Sequence, residues 1–163
     1  MKRLLIVYHS RTGGAQQMAQ AAAGGASRES NVSVHLESAT AAGPEVLLEV
    51  DGYLFVCPEN LASMSGAMKE FFDRCYYPVL GRLTGRPYAT LICAGSDGTN
   101  AARQIERIAT GWRLKAIAPP LIVCTSAQTP EEILKPKHID PTELARCEEL
   151  GATLAAGLAF DIY

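Results

Sequence analysis

The chain has 163 residues, enough for one domain with a full hydrophobic core, and 48% of them are apolar against 20% charged. That balance excludes a disordered chain, and apolar runs such as Leu4–Tyr8 and Pro119–Cys124 are too short to span a bilayer. A net charge of −2 with both signs interspersed leaves no basic stripe for nucleic acid.

Residues 3–8 form the first strand, a near-continuous apolar run of the kind buried on both faces of a sheet. Lys2 and Arg3 precede it, but it leads directly into a polar glycine-rich loop with no cleavage pattern. A signal peptide is therefore not expected, and a cytoplasmic location is. After His9–Gly14 comes a helix over 15–26, with Met18, Ala19, Ala22 and Ala23 on one face and Gly24-Gly25 as a point where it can end early. Val32, Val34 and Leu36 alternate with polar residues as a half-buried second strand, and Pro44 opens a short helix through Glu49. Gly52–Cys57 is a third strand, buried like the first. Met68, Phe71, Phe72 and Cys75 then mark the core face of a helix over 65–76.

A fourth strand over 87–94, a helix over 100–110 and a fifth strand over 121–125 follow. Residues 126–139, with Pro130 and Pro136, read as a long loop. Asp140, Pro141 and Glu143 then supply the cap, the first helical position and the acidic partner of a capping box for a final helix. Five strands and five helices in strict alternation predict one α/β domain, a parallel sheet with helices on both faces. The apolar face of the last helix has two uses open to it, covering the sheet or meeting a second copy in a homo-oligomer. The five cysteines, an odd number with no CxxC pair, point to buried thiols rather than to disulfides or a metal. Cys57, Cys93 and Cys124 fall at strand ends, where packing and redox sensing are both conceivable.

In an open parallel sheet ligands bind outside the carboxyl ends of the strands. Three connections there look unlike ordinary loops. His9-Ser10-Arg11-Thr12-Gly13-Gly14 offers glycines for a tight turn, hydroxyls from Ser10 and Thr12, the Arg11 charge and the free amides of a helix start. That is how a chain holds a terminal phosphate, although the loop is neither a Walker loop nor a GxGxxG turn. The second connection, from Cys57 to Gly66, is long for a βα loop and can present amides and carbonyls to a planar heterocycle, with Leu61 and Met64 available to cover a ring face. The third, Cys93-Ala94-Gly95-Ser96-Asp97-Gly98-Thr99-Asn100, permits a close approach of backbone to a ligand.

Together these stretches resemble the flavodoxin-like flavoprotein superfamily, especially its NAD(P)H-dependent FMN reductase and quinone reductase members. HSRTGGAQQMA is similar to that family's phosphate loop, CPENLASMSGAMKEFFDR to its second signature and AGSDGT to its third flavin-contacting loop. The resemblance implies a flavodoxin-like three-layer sandwich, with a five-stranded parallel sheet of order 2-1-3-4-5. It implies FMN as cofactor, NAD(P)H as co-substrate and a small-molecule electron acceptor such as a quinone or a flavin as partner. It places the FMN phosphate on Ser10, Arg11, Thr12, Gly13 and Gly14, and the flavin ring against Pro58, Glu59, Asn60, Leu61 and Ala62, helped by Gly95 and Gly98. It gives Lys69, Asp73 and Arg74 structural roles. Ala15 stands where many relatives carry Thr, and the ring-flanking aromatic of electron-carrier flavodoxins has no counterpart in the second loop, Tyr8 and Tyr77 being the candidate substitutes. A flavodoxin-type electron carrier is the competing function. The mild net charge and the missing aromatic weigh against it.

Overall fold

The computed structural model describes residues 1–163. Its elements run β1 (Lys2–Tyr8), α1 (Gly14–Ala26), β2 (Val32–Ser38), α2 (Pro44–Glu49), β3 (Gly52–Asn60), β4 (Ser63–Met64), α3 (Gly66–Val79), β5 (Pro87–Ala94), α4 (Thr99–Gly111), β6 (Lys115–Ala116), β7 (Leu121–Cys124), α5 (Pro130–Leu134) and α6 (Pro141–Ala159). The main sheet is parallel in the order β2-β1-β3-β5, closed at its far edge by β6 and β7, both of which pair with β5. This is the flavodoxin-like 2-1-3-4-5 arrangement, with two short strands added.

Alternation along each central strand divides the core in two. Leu5, Val7, Tyr53 and Phe55 face α2, α3 and α4, where Phe71, Phe72 and Trp112 complete an aromatic cluster. Leu4, Ile6, Leu54 and Val56 face α1 and α6 with Met18, Ala19, Ala22 and Leu154. Each of these side chains is fully buried, and together they make the three layers.

Two local expectations change, the helix stop at Gly24-Gly25 and the long loop over 126–139. Gly24 and Gly25 do not end α1: the helix runs on to Ala26, and Gly25 sits where it crosses α6 while Gly24 faces open space. A Cβ on Gly25 would run into the Glu148 carbonyl oxygen, and one on Gly151 would run into that of Ala22. The fifth strand stands as β7 (Leu121–Cys124), and a two-residue strand, β6, precedes it on the same edge, separated from it by Pro119 and Pro120, which lack the amides that a continuous ladder needs. The loop over 126–139 contains a sixth helix, α5, closed by a capping box between Thr129 and Glu132. The apolar face of α6 is consumed within the chain: Cys147, Leu154, Ala155 and Leu158 are buried in the core shared with α1.

The course of β1–α1–β2–α2–β3 matters most for function. The chain leaves β1 on one side and returns to β3 on the other, so the turns after β1 and β3 lie side by side at the topological switch point.

Candidate functional site

At the switch point the β1–α1 turn is shaped as an anion cradle. Gly13 adopts φ 95°, the left-handed conformation that favours glycine, and caps α1 without any side-chain hydrogen bond. The Gly13 amide donates to Ser10 Oγ at 3.1 Å, which fixes the turn and leaves the Ser10 hydroxyl proton free. The amides of Arg11, Thr12, Gly14, Ala15 and Gln16 donate to no protein acceptor. Gly14 and Ala15 are buried residues, and buried amides without an acceptor are rare. Gly14 is required for packing as well: a Cβ there would lie 2.6 Å from Cys93 Sγ. The donor set is therefore a fan of main-chain N–H groups at the positive end of a 13-residue helix, with two hydroxyls beside it. It suits a phosphate monoester.

The second connection is a β-hairpin rather than an irregular loop. β3 continues to Asn60, which pairs with Ser63 across a two-residue turn. Leu61 (φ 51°) and Ala62 (φ 62°) both hold positive φ, as the primed hairpin turns require, but neither is the Asn or Gly that usually does so. Replacing Ala62 by Gly is expected to raise stability by about 0.5–1 kcal/mol through relief of this conformation, read as a higher urea midpoint at unchanged m-value. Leu61, at the apex, is fully exposed. Met64 is buried in the core and cannot cover a ring face, which leaves Leu61 alone of the two. Tyr77 lies near the far end of α3, about 16 Å along the axis from its start, and Tyr8 packs into the α1–α6 core, so Tyr77 is no ring-stacking substitute.

α4 holds the hairpin in place. Glu59 Oε1 accepts from the Gly98 amide at 2.9 Å and Oε2 from the Ala101 amide at 3.1 Å, a carboxylate capping a helix start. Gln104 Oε1 accepts from the Met64 amide at 2.8 Å and from Ser63 Oγ at 3.1 Å, and Asn100 donates to the Ala62 carbonyl at 2.6 Å. The Glu59 side chain is thus turned to α4, and what it can offer the groove is main chain. The third turn is likewise engaged. Gly98 (φ 91°) spends its amide on Glu59 and would place a Cβ 2.6 Å from Ile122 Cγ2, while Gly95 lies under the Ala127 carbonyl. Ser96, Asp97 and Thr99 are the exposed residues of that turn.

Between the cradle and the hairpin stands His9. Its Nδ1 lies 2.8 Å from Ser65 Oγ, and Ser65 is fully buried at the start of α3. Partial burial, and then the nearby Arg11 charge, lower the imidazole pKa. The unfolded chain binds this proton more readily, so the associated stability is present above the ordinary imidazole pKa of about 6.5 and is lost as pH falls through the lower folded value. His9→Asn is expected to flatten the decline of urea stability between about pH 7 and pH 5. An unchanged pH profile would mean that the ring titrates as freely as in the unfolded chain.

Arg74 donates to the carbonyls of Ala39 (2.9 Å) and Ala42 (2.6 Å), tying α3 to the β2–α2 connection, and Lys69 pairs with Asp73 on the surface. Of the strand-end cysteines, Cys57 and Cys93 are packing groups, whereas Cys124 is exposed at the end of β7, against the expectation of a buried thiol. Cys57 and Cys93 belong to opposite faces of the sheet, and burial pushes their thiols up to about 12 and about 11, far from reactive thiolates. Two cavities, of about 270 and 360 Å³, lie at the amino-terminal ends of the strands and against the broken edge strand. None of the candidate residues lines either. The groove at the carboxyl ends is open, and the arrangement of donors marks it better than enclosed volume does.

Sequence reasoning did not find Gln17 and Lys137. Gln17 Nε2 donates to the carbonyls of Gly13 (3.0 Å) and Lys137 (2.8 Å), and its Oε1 accepts from the Ile139 amide at 3.0 Å. The Lys137 amide donates to the Thr12 carbonyl at 2.8 Å. The segment before α6 is thereby clamped onto the cradle from more than a hundred residues away.

The model of the NADPH-dependent FMN reductase family matches residues 26–129, from the last residue of α1 to the residue that caps α5. A flavodoxin of Aquifex aeolicus is 35% identical over 97 residues, 60% of this chain and 50% of its own length. An NAD(P)H dehydrogenase (quinone) of Acidithiobacillus ferrooxidans is 32% identical over 94 residues, 45% of this chain and 47% of its own. The chain spans about half the length of these curated relatives. Among solved structures, a WrbA-like flavodoxin from Agrobacterium tumefaciens superposes with TM-score 0.78 at 17% identity, covering 99% of both chains. An archaeal flavodoxin gives 0.76 at 20% identity, covering 96% of this chain and 98% of its own. These two share the fold. FMN and NAD(P)H, the cofactors expected from the sequence, are those of the matched family. With the match covering well over half of the residues on a flavodoxin-like sheet, the chain belongs to the NADPH-dependent FMN reductase family.

Proposed function

We propose that this chain binds FMN non-covalently in the groove between the cradle, the hairpin and the 95–98 turn, takes reducing equivalents from NAD(P)H, and passes them to a small acceptor such as a quinone or free flavin. The unpaired fan of amides around Gly13 and Gly14 carries this reading. A capped helix would need no ligand there, whereas this one leaves buried donors that a phosphate would satisfy.

On this reading the phosphate is held by the amides of Arg11, Thr12, Gly14, Ala15 and Gln16 with the hydroxyls of Ser10 and Thr12, Gly13 supplying the turn. The main chain of Pro58, Glu59, Asn60, Leu61 and Ala62 flanks the ring, and Gly95 closes the far side, with Gly98 behind it. When bound, FMN supplies hydride acceptance and electron release. The protein's work is orientation: α4 fixes the hairpin through Glu59, Asn100 and Gln104, and α6 and the sheet fix the cradle through α1. Main-chain amides directed at the ring edge stabilise negative charge as it develops.

The electron-carrier reading is supported by the similarity to the Aquifex flavodoxin, but no aromatic stands at the hairpin to flank a ring. A titration of apoprotein should quench FMN fluorescence with micromolar affinity, and NADPH added anaerobically to the complex should then bleach the flavin in stopped flow. No quenching at micromolar protein would overturn the binding site. A bound flavin that stays coloured until a partner reductase is added would assign the carrier role instead.

A further inference from the structure

We infer that Lys137 supplies the counter-charge for the phosphate, so that the site selects phosphorylated flavin over riboflavin; this rests on the FMN reading above.

Lys137 Nζ donates to the carbonyls of Lys135 (2.6 Å), Glu132 (2.8 Å) and Ile133 (2.8 Å) and lies 3.4 Å from Thr12 Oγ1. The three carbonyls take its three protons and hold the ammonium still, but they do not neutralise it. No carboxylate forms an ion pair with it. The two nearest acidic residues in sequence turn their carboxylates elsewhere, Asp140 to the Thr142 amide and Glu132 to the amides of Gln128 and Thr129. A half-buried cation without a counter-ion is an unusual thing to keep beside a fan of unpaired amides, unless an anion completes both.

The main chain around it shows that the placement is built. The Lys137 amide donates to the Thr12 carbonyl, Gln17 bridges the carbonyls of Gly13 and Lys137, and Ile139 returns a bond to Gln17. The aliphatic part of Lys137 packs beside Gly14, where a Cβ would come within 3.5 Å of Lys137 Cβ. The other cation of the loop, Arg11, is exposed and also forms no ion pair. A phosphate monoester near neutral pH carries close to two negative charges, and the amides alone supply only partial positive charge. A fixed cation from the segment before α6 complements them. Riboflavin has the same ring and no such anion, so the charge acts on one ligand and not on the other.

The test compares dissociation constants for FMN and for riboflavin, by fluorescence quenching, in wild type, Lys137→Gln and Lys137→Arg. Lys137→Gln should weaken FMN by about tenfold or more and leave riboflavin within about twofold, the size expected for removing a fixed charge close to a doubly charged anion. Lys137→Arg should keep most of the preference. In the wild type, FMN affinity should fall as NaCl rises while riboflavin affinity stays level. Equal losses for both ligands, or equal losses in the Gln and Arg variants, would show that Lys137 merely caps α5 and would overturn the inference. So would an FMN affinity that is insensitive to salt, a reading that needs no variant to fold. Wild-type protein that binds neither ligand would remove the FMN site itself, a different failure from a site that binds FMN but ignores Lys137.

Discussion

Gly151→Ala is expected to destabilise the protein by about 3 kcal/mol, a fall in Tm of roughly 6–12 °C for a domain of this size. The added Cβ would overlap the Ala22 carbonyl, and its neighbours there, Ala22 C and Ala22 Cα, are backbone atoms of a second helix that cannot rotate away. Gly25 faces Glu148 in the same manner one turn further along the crossing. α1 and α6 therefore pack at backbone contact, and relief requires moving one whole helix. Because α1 carries the cradle at its first turn, the displacement should reach the site: FMN affinity should fall together with stability, and Gly25→Ala should behave alike. Gly24→Ala is the matched control, since a Cβ there meets no atom within 4 Å, and it should stabilise slightly through helix propensity. Thermal melts of the three variants separate the outcomes. Equal melting temperatures for Gly151→Ala and Gly24→Ala would mean that the crossing is looser than the structure has it.

That crossing also shows where sequence reading stops. The apolar runs that became β1, β3 and β5 are buried from end to end, and such runs announce themselves without knowledge of their neighbours. α6 announced its start through Asp140 and Pro141, whose carboxylate does accept from the Thr142 amide. The cradle was readable because glycine, serine and threonine before a helix are local features. Gly24-Gly25 looks identical to a helix stop when only propensity is considered, and its meaning comes from Glu148, which the sequence does not connect to it. The hairpin at Leu61-Ala62 escaped because its turn lacks Asn-Gly, and it is held by Gln104 and Asn100 of α4 instead of by its own residues. α5 did carry a readable signal in Thr129-Pro130-Glu131-Glu132, masked by two prolines in one short segment. Lys137 and Gln17 gave no signal at all: a lysine in a proline-bearing loop is ordinary until the chain brings it to Thr12.

Glu59→Ala is expected to cost about 2–3 kcal/mol and to loosen the ring side of the groove while leaving the phosphate side intact. The carboxylate accepts from two amides, of Gly98 and Ala101, at the start of α4, and alanine would leave both without a partner in a part-buried turn. The same carboxylate complements the positive end of a 13-residue helix whose only other side-chain acceptor is Asp97, on the Thr99 amide. Its position on β3, two residues before the hairpin turn, means that the bond also fixes where the hairpin stands relative to Gly95 and Gly98. Glu59→Gln keeps one acceptor and should recover about half of the loss. The decisive comparison is between ligands. A phosphate-anchored flavin should lose affinity modestly in Glu59→Ala, and riboflavin, which depends on the ring contacts alone, should lose proportionally more. Lys137→Gln predicts the opposite pattern, so the two substitutions measured side by side resolve the groove into an anion half built on α1 and a ring half built on α4. Parallel losses in both variants would show that the groove responds as one unit and that the division is wrong.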